Sequence, residues 1–274
     1  MKLSFTVATP DVNDAGILAL RGDLEKNLKS LSEYGYHGVE FMIRDVNQLS
    51  VEKIKRICDD NSLDISAVSS GQLAFEDNLV ISSPETKIRE MTIERMKETI
   101  DFTQALGCSI VNVGTIRGQL PSDPEKSKEA DRVAAESMRQ ILDYAEDSKI
   151  IIAFEPQCRY VVNWHNTLKD TFGWMQKING QNFKILFDVY HTMIEENSII
   201  ASIIKYLEDI AHIQFSDSNR LWPGAGMMDF PEIIRVLKAL DYSGYVSVEV
   251  LQKPTGLIAA KNAAKYLLPL IAEN

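Results

Sequence analysis

Short segments rich in β-branched and aromatic residues alternate along the chain with longer segments whose apolar residues recur at helical spacing. Short apolar runs of this kind are typical of strands, and the longer amphipathic ones are typical of helices. The predicted strands cover residues 2–8, 36–41, 64–70, 109–113, 149–155, 184–188, 211–217 and 245–251. The helical patterns cover residues 24–34, 85–106, 125–147, 166–178, 230–240 and 255–272, with a shorter one near 51–59.

Strict strand–helix alternation predicts a parallel sheet whose strands are connected by helices. Eight such units predict an α/β fold of the closed (β/α)8 type, the TIM barrel, rather than an open sheet. The chain has 274 residues, which would also fit two smaller domains, but about 250 residues is typical of one such barrel. Because no Gly/Ser-rich linker or low-complexity segment interrupts the pattern, we expect a single domain over residues 1–274.

Polar side chains end each of the last four predicted strands. Side chains alternate across a strand, so one set faces the helices and the other faces the barrel axis. On the eighth strand three alternating valines face the helices, which leaves Glu249 inward. The same alternation turns Glu155, Asp188 and Gln214 inward on strands five, six and seven. We therefore expect these four side chains at the C-terminal mouth of the barrel, where active sites of this fold lie.

Three carboxylates in one cavity repel one another and resist ionisation unless a cation lies among them. One inward glutamate alone would fit a salt-bridged barrel residue equally well, but four aligned oxygen donors favour a divalent metal ion. The predicted ligands are Glu155, Asp188, Gln214 and Glu249. All four offer oxygen, which favours Mn²⁺ or Mg²⁺ over Zn²⁺, with Co²⁺ also able to bind.

Four sequence motifs carry a resemblance to a known family. They are FEP at residues 154–156, FDVYH at 187–191, HIQFSDSNR at 212–220 and VE at 248–249. With them the chain resembles the xylose-isomerase-like TIM barrels, the sugar phosphate isomerase/epimerase superfamily. Within that superfamily it is similar to the ketose 3-epimerases of the tagatose and psicose type, and the likeness runs over nearly the whole chain.

The resemblance implies a metal-dependent isomerase or epimerase that moves a proton beside the carbonyl of a ketose or related small keto-sugar, through an enediolate. It places Glu155, Asp188, Gln214 and Glu249 at metal-ligand positions. It also implies that Glu155 and Glu249 form the acid–base pair on opposite faces of the substrate. Relatives of this kind are often dimers or tetramers, so the resemblance implies a homo-oligomer.

The resemblance further implies substrate contacts outside the ligand set. His191 and Arg220 match positions that contact substrate oxygens, and Glu40, which ends strand two, matches a common pocket carboxylate. Trp222 follows Arg220 in the loop after strand seven, and we expect it to contact the substrate. Arg117, in the loop after strand four, is expected to be a solvated loop charge.

Two departures from the epimerase pattern leave the substrate open. Gln214 stands where tagatose-type epimerases usually have histidine, and Val161 stands where they tend to have a glutamate that bonds in the substrate region. Both changes favour the alternative of a hydroxypyruvate or inosose isomerase. A catalytically silent sugar-binding barrel is the alternative of another class, and the presence of both Glu155 and Glu249 argues against it.

Composition excludes several partners. The formal net charge is −10 and no run of Lys and Arg occurs, which disfavours binding to nucleic acid and to anionic membranes. The related DNA-repair endonucleases need many histidines, and this chain has four. No apolar stretch approaches the length of a membrane span, and the N-terminal apolar run is too short for a signal peptide. With three cysteines and no CxxC, we expect a reducing, cytoplasmic setting.

Overall fold

A computed structural model describes residues 1–14 and 16–273 of the chain. Eight parallel strands close into a barrel in the order of the sequence, which confirms the predicted fold class. The strands are β1 (Lys2–Ala8), β2 (Gly38–Met42), β3 (Asp64–Ser69), β4 (Ile110–Val113), β5 (Ile151–Phe154), β6 (Phe183–Asp188), β7 (Ile210–Phe215) and β8 (Tyr245–Val248).

The helices pack around this barrel and connect its strands. They are α1 (Leu24–Glu33), α2 (Val51–Asp60), α3 (Gln72–Phe75), α4 (Thr86–Leu106), α5 (Pro124–Asp147), α6 (Leu168–Ile178), α7 (Val189–Glu195), α8 (Ile199–Tyr206), α9 (Phe230–Ala239) and α10 (Gly256–Ala272). All seven helical patterns of the sequence are present as helices. The short helices α3, α7 and α8 are additional, because too few residues carry their periodicity to stand out from the surrounding loops. No helix within the described ranges is both long enough and apolar enough to cross a membrane.

Local capping explains where the helices begin and end. The side chain of Asp123 accepts hydrogen bonds from the backbone N–H groups of Glu125 and Lys126, and Pro124 occupies the first helical position of α5. Helix α4 ends at Gly107, whose φ of 81° is left-handed and favours glycine. These caps return the chain to the barrel at defined points, so that the strands keep a fixed register.

Four strands, β3, β5, β7 and β8, end earlier at their C-terminal ends than the sequence predicts. Strand β5 ends at Phe154 and β8 at Val248, so Glu155 and Glu249 lie just beyond their strands. Pro156 has no backbone N–H, and this limits the extension of the β5 ladder. The backbone N–H groups of Glu155 and Glu249 still donate to Val113 and Phe215 of the neighbouring strands, at 2.9 and 3.1 Å. Both carboxylates are therefore anchored to the barrel rather than carried on free loops.

The two faces of the sheet differ in chemistry. Outward side chains such as Phe154, Phe187 and Phe215 are fully buried against the helices. Inward positions are largely polar, and Ser4 and Ser66 bond to each other inside the barrel. A barrel interior filled with polar groups supports a polar site at its C-terminal end.

Candidate active site

A cavity of about 390 Å³ opens at the C-terminal ends of the strands. Its walls include five of the residues predicted as site residues, namely Glu155, His191, Gln214, Arg220 and Glu249. Asp188 is almost completely buried beside them. The residues that the sequence places on four different strands thus meet around one space.

Glu155, Asp188 and His191 form the tightest group of possible metal ligands, with one ligand atom of each within 4.8 Å of the others. The Nε2 atom of His191 lies 3.4 Å from Glu155 Oε1 and 3.9 Å from Asp188 Oδ2. His191 lies in the first turn of α7, three residues after Asp188. The Asp188 side chain caps this helix by accepting a hydrogen bond of 2.7 Å from the backbone of Tyr190. Burial lowers the pKa of His191 to about 4, so its imidazole is neutral at pH 7.

Arg220 bridges two of the predicted ligands. One guanidinium nitrogen donates to Asp188 Oδ2 at 2.6 Å and to the hydroxyl of Ser216 at 2.9 Å, and another donates to Glu249. Its backbone φ of 59° is left-handed, which is uncommon outside glycine and is often found at functional sites. Arg220 also lies against the ring of Tyr190, 4.8 Å from its centre. The guanidinium group of Arg220 is therefore fixed between the carboxylates of Asp188 and Glu249.

The carboxylates of the cavity are crowded. Burial and the charge of Asp188 raise the pKa of Glu155 to about 8, although Arg220 and Arg117 oppose the shift. Burial also raises the pKa of Glu249 well above its usual range; Arg220 opposes this shift and Glu155 adds to it. Arg220 and Arg117 thus leave the negative charge incompletely compensated, and a bound cation would lower both pKa values.

The Glu155 carboxyl group is also oriented by its neighbours. The Nε2 group of Gln157 donates to Glu155 Oε2 at 2.8 Å. A Cβ atom on Gly114 would lie 2.4 Å from the same carboxylate oxygen and 2.8 Å from Gln157 Nε2. A larger residue at position 114 would therefore displace the Glu155 carboxylate or the Gln157 amide from its present place.

Gln214 lies between two carboxylates. Its Nε2 group donates to Glu40 Oε1 at 2.8 Å and to Glu249 Oε1 at 3.4 Å. Its buried carbonyl oxygen has no hydrogen-bond partner within residues 1–14 and 16–273. Amide oxygens are good ligands for hard divalent cations, so this oxygen and the crowded carboxylates fit a metal ion.

Glu40 is not among the described residues that line the cavity, and a contact with the substrate stays a prediction. It is fully buried, and its oxygens accept hydrogen bonds from Ser69 at 2.6 Å, Asn112 at 2.7 Å and Gln214 at 2.8 Å. The Nε2 atom of His212 lies 3.0 Å from the other oxygen. With so many protein partners, the Glu40 carboxylate has little capacity left for a substrate.

Two expectations change with the structure. Trp222 is not among the described residues that line the cavity, and it packs half-buried against the hydrophobic core. Its loop folds back on itself, because Asp217 accepts hydrogen bonds from the backbone of Gly224 and Met228. Arg117 is completely buried, not solvated.

Arg117 connects the loops that follow β4 and β5. Its guanidinium stacks on Phe154, 4.0 Å from the ring centre, and donates to the backbone oxygens of Gly114 and His165 at 3.1 and 3.2 Å. Val161, the second departure from the epimerase pattern, does line the cavity. An apolar side chain therefore stands in the site where the resemblance would place a carboxylate.

Sequence reasoning missed Asn112, Gln157 and Tyr190, which line the cavity. For Asn112 a signal was available, because it is the polar inward residue between the outward Val111 and Val113, and the same alternation identified Glu249. Gln157 and Tyr190 lie beyond their strands, where alternation carries no information about direction.

Comparisons with known proteins agree with this architecture. A family model described as the xylose isomerase-like TIM barrel matches residues 28–269. The L-ribulose 3-epimerase of Methylomonas sp. (strain DH-1) is 28% identical over 228 residues, which cover 82% of this chain and 77% of that protein. The 3-dehydro-D-guloside 4-epimerase of Escherichia coli (strain K12) is 25% identical over 231 residues, which cover 82% of this chain and 86% of that protein.

A solved structure shows the same fold over the whole length. The D-psicose 3-epimerase with D-tagatose from Clostridium cellulolyticum H10 matches with a TM-score of 0.81. The match covers 99% of this chain and 98% of the other at 19% sequence identity. At that identity the likeness establishes the common barrel and its strand order.

Proposed function

The chain belongs to the xylose isomerase-like TIM-barrel family, and on that premise we propose that it is a metal-dependent sugar epimerase or isomerase. Its reaction is proton transfer beside the carbonyl of a ketose or related small keto-sugar. The observation that carries the proposal is the pair of buried carboxyl groups, Glu155 after β5 and Glu249 after β8, which line one cavity from strands well separated around the barrel. The relatives named as sugar epimerases support an enzyme that acts on sugars.

The proposed ligands of the metal are Glu155, Asp188, Gln214 and Glu249, with Mn²⁺ as the proposed ion. Three crowded carboxylates and an unpartnered amide oxygen support this set. A divalent cation held there supplies Lewis-acid stabilisation of the negative charge that develops on the substrate oxygens during proton removal. His191 lies close enough to Glu155 and Asp188 to orient them or to contact a substrate oxygen.

The two glutamates have complementary roles in the proposal. Glu155 removes the proton from the carbon beside the carbonyl, and Glu249 returns a proton to the opposite face of that carbon, which inverts its configuration. If the proton returns to the adjacent carbon, the product is an aldose–ketose isomer. Gln157 donates a hydrogen bond of 2.8 Å to the Glu155 carboxyl group, and Arg220 donates one to Glu249. Both glutamate side chains therefore have a defined orientation before the substrate binds.

A hydroxypyruvate or inosose isomerase is the second candidate. It is favoured by Val161, which gives the cavity an apolar side chain where a ketose epimerase would have a further carboxylate. Gln214 favours it as well. For either candidate we expect a homo-oligomer, a dimer or a tetramer, and a cytoplasmic location.

Hydrogen exchange tests the proposal directly. The protein is stripped with chelator, reloaded with Mn²⁺ and incubated in D₂O with ketoses, ketose phosphates, keto-glycosides, inososes and hydroxypyruvate, and NMR measures deuterium beside the carbonyl. The expected result is Mn²⁺-dependent exchange on one of these compounds, which is lost in both Glu155→Gln and Glu249→Gln. Exchange that persists in both variants, or that needs no metal, would contradict the roles proposed here. Tight binding of a sugar without exchange would support the silent binding barrel instead.

A further inference from the structure

We propose that Glu40 is a positioning residue: its carboxylate fixes the side-chain amide of Gln214 so that the carbonyl oxygen faces the metal position. The proposal rests on the function proposed above, because it assigns a role toward the same metal. Glu40 itself lies outside the cavity wall formed by the described residues, so it acts through Gln214 and not by touching the substrate.

The first step of the inference is the acceptor-only character of the Glu40 carboxylate. Three polar side chains donate to it from neighbouring strands and from across the barrel, those of Ser69, Asn112 and Gln214, and His212 lies at 3.0 Å. An ionised carboxylate accepts hydrogen bonds and cannot donate them. The partners lie at both carboxylate oxygens, so the group faces the amide of Gln214 as a hydrogen-bond acceptor.

The second step concerns the amide of Gln214. Glu40 Oε1 lies 2.8 Å from the amide, and because a carboxylate accepts hydrogen bonds, the NH₂ group of the amide must face it. The same NH₂ group also donates to Glu249 Oε1 at 3.4 Å. Rotation of the amide by half a turn would place its carbonyl oxygen against two carboxylates. The carbonyl oxygen is therefore left on the other side, where it has no partner in the described chain.

Asn112 shows that the effect is not peculiar to one side chain. It also lines the cavity, and its NH₂ group donates to the same Glu40 oxygen at 2.7 Å. Its carbonyl oxygen likewise lacks a hydrogen-bond partner among residues 1–14 and 16–273. The buried Glu40 carboxylate thus orients two side-chain amides of the cavity wall, those of Asn112 and Gln214, in the same way. Partners that orient a metal ligand typically change metal affinity about 10–100-fold when they are removed.

A double-mutant cycle on metal affinity tests this role. Mn²⁺ binding is measured by calorimetry on the full chain, stripped of metal, for the unsubstituted protein, Glu40→Leu, Gln214→Leu and the double variant. Glu40→Leu is expected to weaken Mn²⁺ binding about 10–100-fold, and the double variant is expected to bind as Gln214→Leu does, because Glu40 acts through Gln214. Glu40→Gln keeps an oxygen that can accept from Gln214, so we expect it to stay within about threefold of the unsubstituted protein.

The matched control is Ser66→Ala. Ser66 is a buried barrel residue that bonds to Ser4 and to the backbone of Val39, and within the described residues no hydrogen bond joins its side chain to the side chain of Glu40 or Gln214. Its substitution is expected to leave the Mn²⁺ affinity within about twofold. If Glu40→Leu does not fold, Glu40→Asp takes its place in the cycle, since it withdraws the acceptor from Gln214 by one methylene and keeps the charge.

The outcomes separate this inference from the proposed function. An Mn²⁺ affinity in Glu40→Leu within about threefold of the unsubstituted protein would overturn the positioning role. Equal weakening by Glu40→Leu with and without Gln214 would overturn it too, because Glu40 would then act by another route. If the double-mutant cycle gives the expected Mn²⁺ affinities but the protein exchanges no deuterium with any sugar, the proposed function is contradicted and the positioning role of Glu40 is supported. Failure of the unsubstituted protein to bind Mn²⁺ would contradict both.

Discussion

Glu40 and Glu155 are two buried carboxylates of one barrel with opposite properties. The pKa of Glu40 is lowered to about 2, because His212 and the hydrogen bond from Ser69 outweigh the effect of burial. The pKa of Glu155 is raised to about 8, because burial and the charge of Asp188 outweigh Arg220 and Arg117. Both side chains are removed from water, so burial does not explain the difference.

The difference lies in the partners of each group. Glu40 accepts from three side chains and faces His212, whereas Glu155 has one amide donor, Gln157, and lies among like charges. A fully bonded carboxylate stabilises the fold, and an incompletely compensated one holds and releases protons near neutral pH or binds a cation. Substitution of Glu155 should therefore affect chemistry, and substitution of Glu40 should affect stability and metal affinity.

The largest effect is expected for activity in Glu155→Gln. Loss of a positioned base typically costs about 10²–10⁴-fold in rate, so metal-dependent deuterium exchange should fall by that factor. Stability should stay equal or rise, because one member of a crowded group of charges is removed. Rates are measured by NMR at saturating Mn²⁺, with the surface variant Glu129→Gln on α5 as control. A loss of less than about tenfold would mean that another group removes the proton.

Glu40→Leu is expected to have the largest effect on stability. The substitution leaves His212 and the amides of Asn112 and Gln214 without their buried acceptor, and removal of one partner from such a network costs about 3–5 kcal/mol. Urea unfolding followed by circular dichroism measures the change in the free energy of unfolding. Glu155→Gln, measured in parallel, should change it little. A loss below about 1 kcal/mol for Glu40→Leu would show that the network is not what stabilises this part of the barrel.

The fold and the convergence of four side chains were predictable because both follow from periodicity. Eight alternations of strand and helix predict the barrel, and the two-residue repeat within a strand turns Asp188 and Gln214 inward. The observed register pairs these two residues directly across β6 and β7. The same repeat held for Glu155 and Glu249 although their strands end one residue earlier, since their backbones remain bonded to the neighbouring strand.

What depends on loops was not predictable. Arg117 looked like a solvated loop charge because the stacking on Phe154 and the bonds to backbone oxygens form only once two loops have packed together. Glu40 looked like a pocket carboxylate because a single sequence does not show which residues will donate to it across the barrel. Trp222 follows Arg220, but the turn around Asp217 directs it to the core. Periodicity predicts which face of a strand a side chain lies on, but it does not predict which other residues that side chain contacts.

Metal addition is expected to stabilise the folded protein by an amount that grows with the logarithm of the Mn²⁺ concentration above its dissociation constant. A ligand present at about 100 times its dissociation constant raises the free energy of unfolding by about 2.7 kcal/mol, so the melting temperature of chelator-treated protein should rise by several degrees when Mn²⁺ is added. The rise should be smaller in Glu155→Gln and Glu249→Gln, which lose proposed ligands, and unchanged in Ser66→Ala. An equal rise in all variants would place the bound Mn²⁺ elsewhere on the protein.

The sharpest form of the comparison is a pH dependence of opposite sign at the two carboxylates. In metal-free protein the pKa of Glu155 is about 8 in the folded state against an ordinary value of 4.5. Between these values unfolding releases a proton, so stability falls as pH rises, with a slope of at most about 1.4 kcal/mol per pH unit. The pKa of Glu40 is about 2 when folded, so its contribution is fully present above 4.5 and is lost as pH falls toward 2.

Urea unfolding of chelator-treated protein at a series of pH values separates the two contributions. Glu155→Gln should reduce the decline between about pH 4.5 and 8, to which Glu249 also contributes, and leave the acid side of the profile unchanged. Glu40→Gln should flatten the acid side and leave the decline. Saturating Mn²⁺ should also reduce the decline in the unsubstituted protein, because a cation beside Glu155 favours its ionised form. A decline that persists undiminished in Glu155→Gln would assign it to Glu249, whose pKa is also raised, and would make that residue the principal proton holder of the metal-free site.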